Sequence, residues 1–364
     1  MIFCNDCFKD KQIVAIIKSK RAKGKCPICG QKNGYLYDTD KDTELDDFFD
    51  ELLDIYTPGS MLPDTFPAFE KHMIADELKQ EWNIFSENLD TTDVHRIITS
   101  LSKKRYKDTP ELFDSVVGIK EKYEKDRLDD LSILKGKSWE DFVFSIRTHN
   151  RFHTQIIDLK KLSKYISYLR KDYSKGCYFF RGRLCKNEKP FKKDEMGAPP
   201  EEFAKDGRAN SIGISRLYLA DSHETCIHEI RAGAFDVVTI GRFRLSQDIV
   251  VVDFKQINSI SPFNPDFDYL EYYINKPILK KIDAEMGKNL KGNDSSMDYI
   301  PTQYLCDFIE TLEYEVGKKY NGVEYTSTLN SSGYNIALFD PNICKCNKAE
   351  TFIIQKLDYK YDPL

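Results

Sequence analysis

The chain has 364 residues, 41% of them hydrophobic, which is enough for two or three domains with buried cores. Its 54 lysines and arginines nearly balance 59 aspartates and glutamates, and the net charge of -5 supplies no basic field for a polyanion, so nucleic acid is disfavoured as a partner. The opening MIFCNDCFKDKQ has no cationic segment followed by an apolar run, and no stretch approaches the roughly 18 apolar residues of a membrane span, so no membrane association and a cytoplasmic location are expected.

In a reducing compartment the ten cysteines point to metal binding before disulfides. Cys4-Asn-Asp-Cys7 and Cys26-Pro-Ile-Cys29 are two CxxC knuckles separated by 18 residues, the spacing of a four-cysteine zinc ribbon. Four thiolates fill a tetrahedral shell and leave no place for water, so a zinc ion held by Cys4, Cys7, Cys26 and Cys29 is expected to be structural. The remaining six cysteines are scattered, and Cys344-Lys-Cys346 has the wrong spacing for a knuckle.

Acidic residues crowd the next stretch, and DTDKDTE invites comparison with a calcium loop. The loop fails, because its sixth position is Thr43 where glycine is needed and its twelfth is Phe49 where glutamate is needed. The acids fit a helix start and a solvated face instead. Leu45, Phe48, Phe49, Leu52, Leu53 and Tyr56 form one apolar stripe at helical spacing, ended by Thr57-Pro58-Gly59. Further stripes follow at Ile74, Leu78, Trp82 and Phe85, at Val94, Ile97, Ile98 and Leu101, and at Trp139, Phe142, Val143 and Ile146. They predict a small helical bundle. Residues 103–125 carry many charges and few apolar anchors, which fits either a mobile connection or a solvated helix.

After about residue 173 the pattern changes from helical spacing to short strands between glycine-rich turns, which marks a domain boundary. The expected division is a ribbon over 1–36, a helical domain over 37–172 and a mixed α/β domain over 173–364, an α+β chain as a whole. In LYLA (217–220) the two leucines share a strand face and Tyr218 projects from the other, where it would pack under a neighbouring helix or offer a ring to a ligand. Asp221 or Ser222 caps a helix running through Arg231, with Cys226 and Ile230 on its buried face and Glu229 at the border, partly desolvated. His223 and His228 are five apart and turn to different faces, so HETCIH is no zinc-protease motif. FRLSQDIVVVDF (243–254) reads as two strands about a turn, the second apolar enough to be central in a sheet, with Leu305, Phe308, Ile309 and Leu312 on a helix that covers it. In VEYTST alternation puts Tyr325 and Ser327 on one face, and Asn335 turns away from Ile336. Ser327 and Asn335 are equally read as turn residues near Gly333.

Six segments, CYFFRGR (177–183), GRANSIGISRLYLA (207–220), HEIRA (228–232), IPTQYLCDFIE (300–310), YTST (325–328) and SGYNIALFD (332–340), follow the order and wording of the RES family. The resemblance covers roughly 176–339. It implies a fold similar to the ADP-ribosyltransferase toxins and, as in many members, breakdown of NAD as a substrate. Residue by residue the family's arginine, glutamate and serine fall on Arg181 or Arg183, Glu229 and Ser327, with Tyr218 as a ring platform and Arg208 and Asn335 as second-rank binding residues. By that resemblance the arginine would hold phosphate, Glu229 would stabilise the ribose cation, and Ser327 would orient the nicotinamide ribose. A toxin or defence effector that depletes NAD is implied, with a separate antitoxin as a possible partner. Transfer of ADP-ribose to a protein or small molecule uses the same residues, and a zinc-ribbon binding module with an inactive RES domain is a reading from another class. The ribbon and helices also resemble the HEPN-related region joined to some RES domains. Arg147, His149, Arg151 and His153 would supply a HEPN-type nuclease pair, or else a polar helix edge.

Overall fold

A computed structural model describes residues 1–288 and 296–357. They divide into two compact units, one made of residues 1–136 with 259–277, the other of 137–258 with the described residues from 278 on. Residues 137–172 cluster with the second unit. Among the described residues no helix is long and apolar enough to cross a membrane.

In the first unit, strands Ile2–Cys4, Gly34–Asp38 and Lys23–Gly24 form an antiparallel sheet whose Phe3 stacks on Tyr37 at 5.4 Å. Helix Lys11–Ser19 follows the first knuckle, and its N-cap Asp10 accepts from Gln12 and Ile13 backbone N–H at 2.9 and 3.1 Å. The acidic run ends in helix Asp46–Leu53, which buries Phe49, Leu52 and Leu53 and keeps Asp46 and Asp47 in its first turn. Helix Thr91–Leu101 buries all four residues of its stripe and is capped by Asp90.

This unit is not purely helical. Two β-branched residues inside the charged stretch, Val116 and Val117, form strand Val116–Gly118 between Thr57–Pro58 and His72–Met73. Residues 103–125 are therefore two short helices, this strand and a 3₁₀ turn, neither a loose connection nor one solvated helix. The stripe at 74–85 also departs from α geometry: one turn at Ile74–Asp76 runs into a π-helical segment, Glu77–Glu81.

The second unit is built on one eight-stranded mixed sheet. Its strands are β1 (Arg170–Tyr173), β2 (Tyr178–Leu184), β3 (Leu217–Ala220), β4 (Val237–Leu245), β5 (Ile249–Asp253), β6 (Gly322–Thr326), β7 (Tyr334–Leu338) and β8 (Cys344–Ile353). The order is β8-β4-β2-β3-β7-β6-β5-β1, with β5 and β6 parallel and the other neighbours antiparallel. The mixed α/β expectation holds. FRLSQDIVVVDF does supply two strands, but β4 and β5 do not pair. They lie near opposite edges of the sheet, and β5, buried at all five residues, is next to the edge strand β1 rather than central.

One face of the sheet carries Phe179, Leu217, Leu219, Phe243, Val251, Ile336 and Leu338 in a continuous core. On the other, Val238 and Ile240 pack with Ile227 and Ile230 around helix α1 (His223–Glu229). Helix α2 (Ile300–Thr311) buries Leu305, Cys306 and Ile309 and lies along β6. Helix Trp139–Thr148 meets α2 through Phe142 and Tyr304, rings 5.5 Å apart.

Candidate functional site

Three strands and one helix converge around Glu229. Ser222 caps α1, accepting the Thr225 N–H at 3.1 Å, and the helix lies close against β2 at Gly182, where a Cβ would stand 3.2 to 3.3 Å from Ile230 and Cys226. The helix stops at Glu229 instead of running through Arg231, since Arg231 has a left-handed φ of 52° that breaks helical geometry. That end places Glu229 in an exposed position rather than the partly desolvated one expected. Its fixed posture comes from hydrogen bonds. The Ser327 hydroxyl donates to Glu229 Oε1 at 2.6 Å, and Asn335 Nδ2 donates to the same oxygen at 2.7 Å.

Both donors are buried and held in turn. Ser327 N–H donates to Gly333 O at 3.0 Å, and Asn330 N–H donates to Ser327 Oγ at 3.2 Å. Asn335 sits on β7 opposite Tyr325, its neighbour Ile336 in the core, as alternation required. The backbone of Ser327 closes the β6–β7 turn while its side chain holds Glu229.

A cleft of about 250 Å³ lies beside this cluster, lined by Arg181, Tyr218, Cys226, Glu229, Tyr325 and Asn335, among others. A second cleft of about 260 Å³ shares Arg181 and Tyr218 and adds Phe203, Lys205, Asp206 and Asn210. Strands β2 and β3 share a single pairing, Phe180 opposite Ala220. Arg181 sits just past the point where that ladder stops.

Arg181 and Arg183 are distinguished by their surroundings. Arg181 Nη1 donates to the carbonyls of Met196, at 3.0 Å, and Gly197, while its Nε and Nη2 make no hydrogen bond among the described residues. Burial, with the charge of Arg183 nearby, pushes the Arg181 guanidinium down to about 10, which leaves it cationic at neutral pH. Arg183 lines neither cleft; it stacks over Phe191 at 5.0 Å and donates to Glu195 O at 2.6 Å.

The Tyr218 hydroxyl accepts from Ala209 N–H at 2.9 Å and donates to Asn210 Oδ1 at 2.6 Å, while Leu217 and Leu219 enter the core of the opposite face. Burial raises the Tyr218 phenol well above its ordinary value, so it stays a neutral ring. Arg208 lines neither cleft. Its guanidinium stacks over Tyr325 at 5.3 Å and donates to the carbonyls of Met286, at 2.7 Å, and Lys288. Sequence reasoning did not assign Tyr325, Asn210 or Cys226 to this site. The quoted GRANSI segment contained Asn210, but its bond to Tyr218 depends on a tertiary turn.

The four cysteines come together as their spacing required. Their Sγ atoms lie within 4.8 Å of one another, with Cys4 and Cys29 at 3.5 Å and Cys7 and Cys26 at 3.7 Å. Sulfurs at the corners of a tetrahedron about zinc, each roughly 2.3 Å from the ion, stand about 3.8 Å apart, whereas a disulfide needs about 2.05 Å. The donor set fits a metal ion. Burial pushes the Cys4 thiol up to about 12, so thiolates there need a cation to hold their charge.

The alternative motifs do not assemble. Helix Trp139–Thr148 ends before His149, so His149 and His153 share no helix face, and Arg147 is paired with Asp298 at 2.9 Å. His223 packs edge-on against Phe180 while His228 lies 4.0 Å from Glu224.

A mixed sheet with a capped helix at its face, a carboxylate held by a serine and an asparagine, and an arginine beside it define an α/β domain with a polar small-molecule cleft. Residues 183–362 match the family model of the RES domain, a span that begins at the second arginine of RGR and contains Arg208, Tyr218, Glu229, Ser327 and Asn335. Over these residues the chain is similar to a RES domain. No match was found among curated proteins.

Proposed function

We propose that this protein binds NAD in the paired clefts and cleaves its nicotinamide–ribose bond. The observation that carries this reading is the fixing of Glu229 Oε1 by Ser327 and Asn335 in the cleft that Arg181 and Tyr218 also line. Cleavage breaks the C1′–N bond, and its electron pair passes to the pyridinium nitrogen, so nicotinamide leaves neutral. Positive charge develops on the ribose, where a carboxylate oriented beforehand stabilises it without reorganising. A water oxygen then bonds to C1′ and its proton passes to solvent, giving ADP-ribose.

Arg181 suits the pyrophosphate, because Nη1 anchors the guanidinium and leaves Nε and Nη2 for anionic oxygens. Tyr218, neutral and fixed at its hydroxyl, offers a ring face between the two clefts. Ser327 and Asn335 keep Glu229 in one rotamer, and zinc at Cys4, Cys7, Cys26 and Cys29 would be a structural ion that takes no part in this chemistry. In a cell the activity would act as a toxin or defence effector, with a separate antitoxin as regulator.

Incubating the purified chain with NAD and identifying the products by mass spectrometry tests the reading. Nicotinamide with ADP-ribose is expected. Nicotinamide with a covalently ADP-ribosylated acceptor would move the assignment to transfer, and unchanged NAD would remove it.

A further inference from the structure

The first unit contains a cleft of about 330 Å³, unrelated to the RES motifs, at its π-helical segment Glu77–Glu81. That volume lies at the lower end of small-molecule sites, roughly 300 to 1,000 Å³. Single π turns are uncommon and are frequently found where a helix has been distorted to present side chains to a ligand. Here the distortion presents Glu77, only 5% exposed, to the cleft.

The carboxyl group of Glu77 is satisfied on one side. Oε2 accepts from Tyr56 OH at 3.1 Å and Tyr273 OH at 3.3 Å, and Tyr56 is itself fixed by the Trp82 indole N–H at 2.7 Å. Oε1 accepts no hydrogen bond among the described residues; His72 Nε2 is 4.0 Å away. Burial pushes the Glu77 carboxyl up from its ordinary value, so a buried acceptor is kept here at a cost in stability.

The two lysines that line the cleft have partners. Lys122 donates to both oxygens of Glu70, at 2.9 and 2.7 Å, and Lys276 donates to the carbonyl of Glu81. Both lysines are thus engaged, and Glu77 Oε1 remains as an acceptor facing the cleft. Aromatic surface completes it, since Tyr273 and the 76% exposed ring of Phe69 both line the cleft.

We infer that this cleft is a second ligand site, which takes a small organic cation, an ammonium or amidinium carried on a flat apolar group, with the cationic N–H groups donating to Glu77 Oε1 and the flat group against Phe69 and Tyr273. The site is independent of the NAD reading. A desolvated carboxylate re-ionises beside a cation, and the aromatic faces add attraction for it.

Titration calorimetry on the full chain tests this with 2-phenylethylammonium as the probe and 2-phenylacetate as its anionic counterpart. The ammonium is expected to bind with Kd on the order of 1 mM, as suits so small a ligand, and the carboxylate is not expected to bind. Glu77→Gln should weaken the ammonium about tenfold, the loss of one charge-assisted hydrogen bond. If circular dichroism shows that this variant fails to fold, Phe69→Ala carries the test, because its ring is exposed; it too should weaken the probe several-fold. No binding by the ammonium, equal binding by phenylacetate, or full affinity in a folded variant would overturn the assignment.

Discussion

Arg181 and Glu229 occupy one cleft but would contribute at different stages of a reaction, and substitutions separate them. Arg181→Ala removes the cation proposed to act on bound phosphate before and during cleavage, so KM for NAD should rise along with a fall in kcat/KM. Glu229→Gln keeps the shape and loses the charge that matters only as the ribose becomes cationic. Binding of NAD should persist while kcat falls on the order of 10²-fold. Ser327→Ala leaves Asn335 as the remaining donor to Oε1, and its loss should fall between the two in steady-state kinetics. A Glu229→Gln variant with full turnover would refute these roles. Asp46 offers a different test at this scale. Burial, reinforced by the charge of Asp50, pushes its carboxyl up from 3.8 to about 6. The folded state therefore holds this proton when the unfolded chain has released it, so the contribution is complete below about pH 4 and is lost as pH rises to about 6. Asp46→Asn should raise the thermal midpoint of the first unit at pH 7 and leave it nearly unchanged at pH 4.

Elements of the second unit are held to the site by close backbone approaches and by one buried ionic cluster. A Cβ at Gly333 would stand 2.1 Å from Thr225 Oγ1, so the β6–β7 turn and the first turn of α1 meet only because position 333 has no side chain. Gly333→Ala should cost about 1–3 kcal/mol in denaturant unfolding and should lower turnover through displacement of Ser327. On the opposite face Glu324, fully buried on β6, accepts from Lys171 Nζ at 2.8 Å, from Tyr173 OH at 2.5 Å and from Lys255, tying β1 and the end of β5 to β6. Glu324→Ala leaves Lys171 and Lys255 to their longer contacts with Asp253, 3.8 Å each. It should destabilise the second unit by about 3 kcal/mol, lowering its thermal midpoint without changing the zinc content.

At the scale of the whole molecule the four-cysteine cluster gives the clearest expectation, one zinc ion per chain by elemental analysis. The segment around it buries Phe3, Ile13, Ile17 and Tyr37 but is only a short sheet and a helix, so the ion supplies folding free energy that so small a core does not. Removing the metal with a chelator should lower the unfolding temperature of the first unit, and a protein that loads no zinc would refute the site. Much of this was legible in the amino-acid sequence because it depends on local rules. Ligand spacing brought Cys4, Cys7, Cys26 and Cys29 together, helical periodicity placed Val94, Ile97, Ile98 and Leu101 inside, and strand alternation turned Tyr218 and Asn335 away from the core. Pairings between distant segments were not legible. Strands β4 and β5 are adjacent in sequence yet pair with different partners, Val116–Gly118 became a strand only through Thr57–Pro58 and His72–Met73, and Glu77 gained its two tyrosines from positions 21 and 196 residues away. The choice between Arg181 and Arg183 belongs to the same class. Both stand two residues apart on β2 and look alike to any periodicity, but only Arg181 lies where the pairing with β3 ends and a cleft opens. Residue type and spacing determined which groups were available; the packing of remote strands decided which of them face the same space.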